Sequence, residues 1–200
     1  MLLSFIFIPF VTALLLLFIK NDKSANTIAI VSTLGTLVAA IVVAGNGAVD
    51  FNAPWIPVLH AQFLLHADGL ATILVLLTAI SFPAIIIATS QNQPKQKNIF
   101  LSLLLFAQSG LMGVFLAGDA LLFYFFWELA LIPVYFLSSI WGGERRIAVT
   151  FKFFIYTLVG SVLILVVMIA SALSVSDPFF SKELGSIVHT FDFRVLANES

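Results

Sequence analysis

Apolar runs long enough to cross a bilayer alternate with short polar interruptions along this chain. Runs at about 2–19, 28–45, 69–89, 99–118, 119–141 and 147–173 predict six helices. Each is near the ~20 apolar residues that a hydrocarbon core of about 30 Å requires. The fold class expected is therefore all-α, a polytopic membrane protein with six transmembrane helices. Only Gly118-Asp119 separates the fourth run from the fifth, so these two should form a tight antiparallel hairpin. The first run does not read as a signal peptide, because its basic residues, Lys20 and Lys23, follow it rather than precede it.

Three stretches organise the chain. Residues 1–98 carry the three leading helices with a loop at 46–68, residues 99–173 carry helices four to six, and residues 174–200 differ in kind. In the loop, Pro54-Trp55-Ile56-Pro57 forbids a regular helix, while residues 58–65 allow a short hairpin or strand on the membrane surface. Trp55 suits an interfacial anchor. His60 and His66 can relay a proton or bind a metal, yet their spacing matches no ligand motif, and ordinary interfacial histidines are the expectation. After Asp177-Pro178, the residues Leu184, Ile187, Val188 and Phe191 recur at helical spacing, which predicts an amphipathic helix in the outer interface. The sequence then stops without a further apolar span and reads as truncated.

The loops also assign an orientation. Lys20 and Lys23, Lys95 and Lys97, and Arg145 and Arg146 follow helices one, three and five, whereas 46–68 and 118–119 contain no Lys or Arg. Basic loops face the cytoplasm, so the N-terminus is expected outside a bacterial inner membrane. Lys182 and Arg194 fall on the outer side without reversing that balance.

Composition narrows the function classes. The 200 residues are 61% hydrophobic and 10% charged, with mean hydropathy +1.13. A soluble domain is nearer ~25% charged, so a water-facing surface cannot be covered here. A net charge of −1 gives no basic footprint for nucleic acid. The absence of cysteine excludes disulfides, thiolate metal sites and Cys-ligated iron–sulfur clusters within these residues.

Against that background one residue stands out. In the 23-residue run Asp119–Trp141, Glu128 is the only ionisable carboxyl between the ends. It lies roughly 13 Å from one end and roughly 20 Å from the other. Placing a charged side chain at that depth costs at least ~2.5–3.5 kcal/mol, which makes Glu128 a candidate for an ion or proton path. On a helical wheel Tyr124, Glu128, Tyr135 and Ser139 share one side, while Phe123, Phe126, Trp127 and Ala130 take the other. Pro133 removes the bond normally accepted by the Leu129 carbonyl, leaving an acceptor beside the carboxylate where water can dock. Lys152, roughly 9 Å inside the Arg146 end of helix six, either snorkels to the interface or turns inward to a carboxylate. A carboxylate and an ammonium whose separation changes can load and release a proton. Gln108, Ser109, Gly110 and Gly113 in helix four, and Thr157, Gly160 and Ser161 in helix six, form small-residue faces for close packing.

The stretch Phe123-Tyr-Phe-Phe-Trp-Glu128-Leu-Ala-Leu-Ile-Pro133-Val-Tyr-Phe-Leu, then Trp141-Gly-Gly-Glu-Arg145, then Lys152-Phe-Phe-Ile-Tyr-Thr-Leu-Val-Gly-Ser161, resembles the antiporter-like membrane subunits of complex I, the proton-pumping NADH–quinone oxidoreductase. Within that group it looks like the M chain, the mitochondrial chain 4 equivalent. Ala53-Pro-Trp-Ile-Pro57 and His66-Ala-Asp68-Gly69-Leu fit as well. The resemblance implies a bundle of roughly fourteen helices built on inverted repeats, of which this chain would be an N-terminal portion. It also implies that Glu128 tunes a lysine on a broken seventh helix. Other membrane subunits, the lipid bilayer and protons are the implied partners.

Neither a nucleotide fingerprint nor a paired-histidine haem motif is present. NADH, flavin, iron–sulfur clusters and quinone are therefore expected in partner subunits, and no cofactor is expected in this chain. Two alternatives stand beside this reading. One is a subunit of a multisubunit sodium/proton antiporter or membrane-bound hydrogenase. The other is a membrane scaffold that only docks partners, which would have no reason to keep Glu128 in mid-bilayer.

Overall fold

A computed structural model describes residues 2–45, 47, 49–57, 61–91, 94–174 and 190–198. Helices α1 (Leu2–Phe18), α2 (Asp22–Ala44), α3 (Gly69–Gln91), α4 (Lys97–Leu116), α5 (Ala120–Trp141) and α6 (Arg146–Ser174) follow the six apolar runs. Strands β1 (Val49–Ile56) and β2 (Ala61–Ala67) form an antiparallel hairpin between α2 and α3, and a short α7 spans Phe193–Asn198. Helices α2 to α6 are each long and apolar enough to cross a membrane; α1 is a shorter apolar helix of 17 residues. Its rise of about 26 Å still lies at the lower limit for a span.

The first turn of α2 begins well before the apolar run. Asn21 caps it by accepting the Lys23 N–H at 3.0 Å, so the polar residues from Asp22 onward extend the helix beyond the apolar part. Helix α4 forms the centre, packed on α1, α2, α3 and α5. Ser102 and Ser109 donate across to the Ala13 and Ile6 carbonyls of α1, at 2.6 and 2.8 Å. On its other side a Cβ at Gly110 would lie 2.8 Å from the Ala130 Cα, and one at Gly113 would lie 2.3 Å from the Phe126 ring. The small-residue face expected in helix four thus lets two neighbours approach at once.

In α6 the same expectation holds only in part. Ser161 is buried and donates to the Leu158 carbonyl, whereas a Cβ at Gly160 would meet nothing within 4 Å. Adjacent helical residues point about 100° apart, so one faces α5 and the other turns past it.

The hairpin begins earlier than the sequence suggests. Pro54-Trp55-Ile56 is itself strand, pairing Pro54 with Gln62, with an irregularity between Pro54 and Ile56. A two-stranded sheet has only edge strands, where a proline costs no ladder bond on its open side. Trp55 packs edge-on to Phe63 and Phe125, at 6.5 and 5.7 Å, and so anchors the hairpin over α5. Of the predicted amphipathic helix, Leu184, Ile187 and Val188 lie outside the described residues, as do His60 and Lys182. Phe191 is not helical. It is a buried residue just ahead of α7, and its carbonyl accepts the Ala120 N–H at 2.8 Å, one of the donors that the start of α5 leaves free.

Candidate functional site

The start of α5 is fixed from three directions. Asp119 Oδ1 accepts the N–H groups of Leu121 and Leu122, at 2.9 and 3.2 Å, and Oδ2 accepts the Gln62 N–H of the hairpin at 3.0 Å. The backbone adds Gly118 N–H to the Leu64 carbonyl at 2.8 Å and Phe193 N–H to the Gly118 carbonyl at 3.1 Å. Asp119 is buried, and burial raises its carboxyl above the ordinary 3.8 against the lowering effect of three backbone N–H bonds. An acidic residue directly before an apolar run is a helix-cap signal, so this role was open to reading from sequence.

From that fixed start the helix runs past Glu128. Phe126, Ala130 and Pro133 are buried toward α4, while Tyr124, Glu128, Tyr135 and Ser139 are half-buried on another side. That side meets α6. Phe123, Tyr124 and Trp127 line a small cavity of about 60 Å³ with Ser161 and Ile164, and the Tyr135 ring lies 5.1 Å from Phe154. The side of α5 toward α6 thus mixes Tyr124 and Tyr135 of the stripe with Phe123 and Trp127, which the wheel puts on the other side. Glu128 Oε1 is fully buried with no hydrogen-bond partner among the described residues. An unpartnered carboxyl oxygen at this depth is a site that water or a proton can use.

The structure does not bring Lys152 to Glu128. Lys152 is exposed on α6, and no ion pair among the described residues includes either group. The α5–α6 register explains this. Trp127 and Ser161 line the same cavity, so Glu128 lies near the level of Ser161, and nine residues of helix put Lys152 about 13 Å away. Pro133 sits inside α5 on the face toward α4, one turn beyond Leu129 and away from the stripe.

A second polar cluster lies at the hairpin end. His66 Nδ1 contacts Asp50 Oδ1, Arg194 reaches Asp50 at 3.4 Å, and Arg194 holds Asp192 at 2.7 Å. Asp192 is the main reason that the Arg194 guanidinium is pushed above its usual value. The cluster borders an open cleft of about 640 Å³ that also exposes Phe123 and Trp127. His66 was singled out from sequence, but its partner Asp50 comes from β1, and Asp50 is in turn reached by Arg194, more than a hundred positions away.

Comparison with known proteins matches these elements. The family described as NADH:quinone oxidoreductase/Mrp antiporter, TM, matches residues 117–189, which begin at the cap of α5 and include all of α6. The F(420)H(2) dehydrogenase subunit M of Methanosarcina mazei is 33% identical over 198 residues, covering 96% of this chain and 39% of that protein. The NADH-quinone oxidoreductase subunit M of Rhodobacter capsulatus is 37% identical over 156 residues, covering 74% of this chain and 30% of its own length. A chain of respiratory complex I from Thermus thermophilus superposes with a TM-score of 0.81 at 28% identity, over 99% of this chain and 39% of that one. The chain thus spans well under half the length of these relatives, and over that span it is similar to the antiporter-like membrane subunits of NADH:quinone oxidoreductases and Mrp antiporters, subunit M among them.

Proposed function

We propose that this chain is part of subunit M of a complex I-type oxidoreductase, and that Glu128 is a protonatable group on that subunit's path across the bilayer. The observation that carries the reading is the buried, unpartnered Glu128 Oε1 on the α5 stripe that meets α6. Tyr124 and Tyr135 lie on the same side of the helix, and Pro133 frees the Leu129 carbonyl one position beyond the carboxylate. Electron transfer from NADH to quinone, with its flavin and iron–sulfur clusters, belongs to partner subunits, and this chain handles protons. Lys152 joins the path where further helices cover α6 and bury its ammonium beside other polar groups. With the basic loops in the cytoplasm, the hairpin and the Asp50–His66–Arg194 cluster face out of a bacterial inner membrane.

The test is Glu128→Gln in the full-length subunit within its assembled complex. Assembly and electron transfer from the donor should survive, proton pumping should fall strongly, and Glu128→Asp should keep part of it. An unchanged proton-to-electron stoichiometry in the assembled Glu128→Gln complex overturns the assignment. The family description also covers Mrp antiporters, which supports a second reading as a sodium/proton antiporter subunit. Under that reading the loss in Glu128→Gln would appear as lost sodium-driven proton movement, with no dependence on NADH.

A further inference from the structure

The bundle of α1 to α4 contains a polar layer at mid-depth that the α5 site does not use. Two apolar clusters mark its boundaries. One joins Ala29 of α2 to Leu105 of α4 and Ile86 of α3; the other joins Ala40, Met112 and Ala79 of the same helices. Between these levels lie Ser32, Thr33 and Thr36 on α2 and Gln108 on α4, all buried, with Gln108 wholly inaccessible. Neither Gln108 Oε1 nor Gln108 Nε2 has a hydrogen-bond partner among the described residues, and the same is true of Ser32 Oγ. Thr33 and Thr36 already donate to the Ala29 and Ser32 carbonyls of their own helix, leaving their oxygens as acceptors.

The backbone contributes at the same depth. Pro9 of α1 and Pro83 of α3 are both buried in helix interiors between the two clusters. A proline ring withholds the N–H that would bond the carbonyl four residues back, here those of Phe5 and Ala79. Both of those residues are fully buried. All four helices thus direct unsatisfied or acceptor-only groups to one level.

We propose that this layer is a hydration site, holding internal water between Gln108 and Ser32 in the middle of the bundle. The chemistry selects water over a cation. Gln108 presents an unpaired donor as well as an unpaired acceptor, and only a ligand that both donates and accepts satisfies the two. A metal ion would leave the amide N–H₂ unbonded and would find no carboxylate among the buried polar residues of this layer. Buried water makes about three hydrogen bonds to polar groups of this kind, and the hydroxyls, the amide and the two freed carbonyls supply that number.

X-ray hydroxyl-radical footprinting of the full-length subunit in its assembled complex tests the proposal, because bound water is radiolysed in place and oxidises the side chains it touches. Met112, one turn from Gln108, and Phe82, beside Pro83, are the probes, since burial shields both from radicals in bulk solvent. Both should oxidise in a dose-dependent way in the wild type and severalfold more slowly in Gln108→Leu and in Gln108→Met. Wild-type probes that stay unmodified overturn the proposal, as do rates that the substitutions leave unchanged. Should Gln108→Leu fail to assemble, Gln108→Met keeps the length of the side chain and the wild-type arm still decides.

Discussion

Helices α4 and α6 are both apolar spans, yet they occupy opposite environments. In α4, Leu101, Leu105, Gln108 and Met112 line one face without any solvent exposure, and glycines or serines bring α1 and α5 close on the others. In α6, Tyr156 is 76% exposed and Leu163 and Val167 are each 63% exposed. Hydropathy places both in a membrane but says nothing of what surrounds them. What separates them is the distribution of small and hydroxyl residues, which decides how near another backbone can come. Glu128 lies on the helix between these two regimes. Its helix is held rigidly against α4 and is covered less tightly by α6, so the carboxyl sits on the side free to accommodate water or further groups.

The largest effect should come from breaking the tight side. In Gly110→Ala the new Cβ would lie 2.8 Å from both the Ala130 Cα and Cβ and 3.0 Å from its nitrogen. Backbone cannot yield as a side-chain tip does, so α4 and α5 must separate. A loss of about 3 kcal/mol, the upper end for overpacking, is expected. Heat unfolding in lipid nanodiscs measures it, and a melting curve matching the wild type would show that the two helices do not make this contact.

Next in size is the cap that fixes α5. Asp119→Ala removes the acceptor for Leu121 and Leu122 and strands the Gln62 N–H, a combined cost of about 2 kcal/mol. The hairpin should loosen with it, seen as faster amide exchange at Gln62. The pH dependence carries its own sign. Burial raises the folded-state pKa of Asp119, so its contribution to stability is fullest below the unfolded value and is lost as pH rises through the folded one. Asparagine does not titrate, so the advantage of the wild type over Asp119→Asn should grow as pH falls from neutral toward 4. An advantage that shrinks on acidification would mean that the N–H bonds outweigh burial.

How much of this was legible in the sequence follows from the range of each interaction. All six helices were readable because run length and polar punctuation are local. The α2 start was missed because Asn21 acts as a cap ahead of a polar first turn. Strand character at Pro54 was missed because it depends on β2 as a partner. Phe191 has helical spacing to its predecessors, but the free N–H of Ala120 claims its carbonyl. The Asp50–His66–Arg194 cluster joins three distant segments, and no spacing rule reaches that far. Gln108 was grouped with the small residues on its helix. Its burial without partners becomes visible only once α1, α2 and α3 are packed around it.

The smallest effect sharpens the same comparison from the loose side. Gly160→Ala adds a methyl where nothing lies within 4 Å, and alanine is the better helix former by up to about 1 kcal/mol. Stability of this chain in nanodiscs should therefore stay within about 0.5 kcal/mol of the wild type or rise slightly. The contrast with Gly110→Ala is the informative quantity, since the substitution is identical and only the surroundings differ. Repeating both in the full-length subunit extends the test. Gly110→Ala should remain damaging there, because its neighbour Ala130 belongs to this chain. Gly160→Ala should stay silent if lipid covers α6, and should become damaging if another helix packs against it. A destabilising Gly160→Ala in the isolated chain would mean that α6 is packed more tightly than its exposed residues indicate, and the difference between the two regions would not hold.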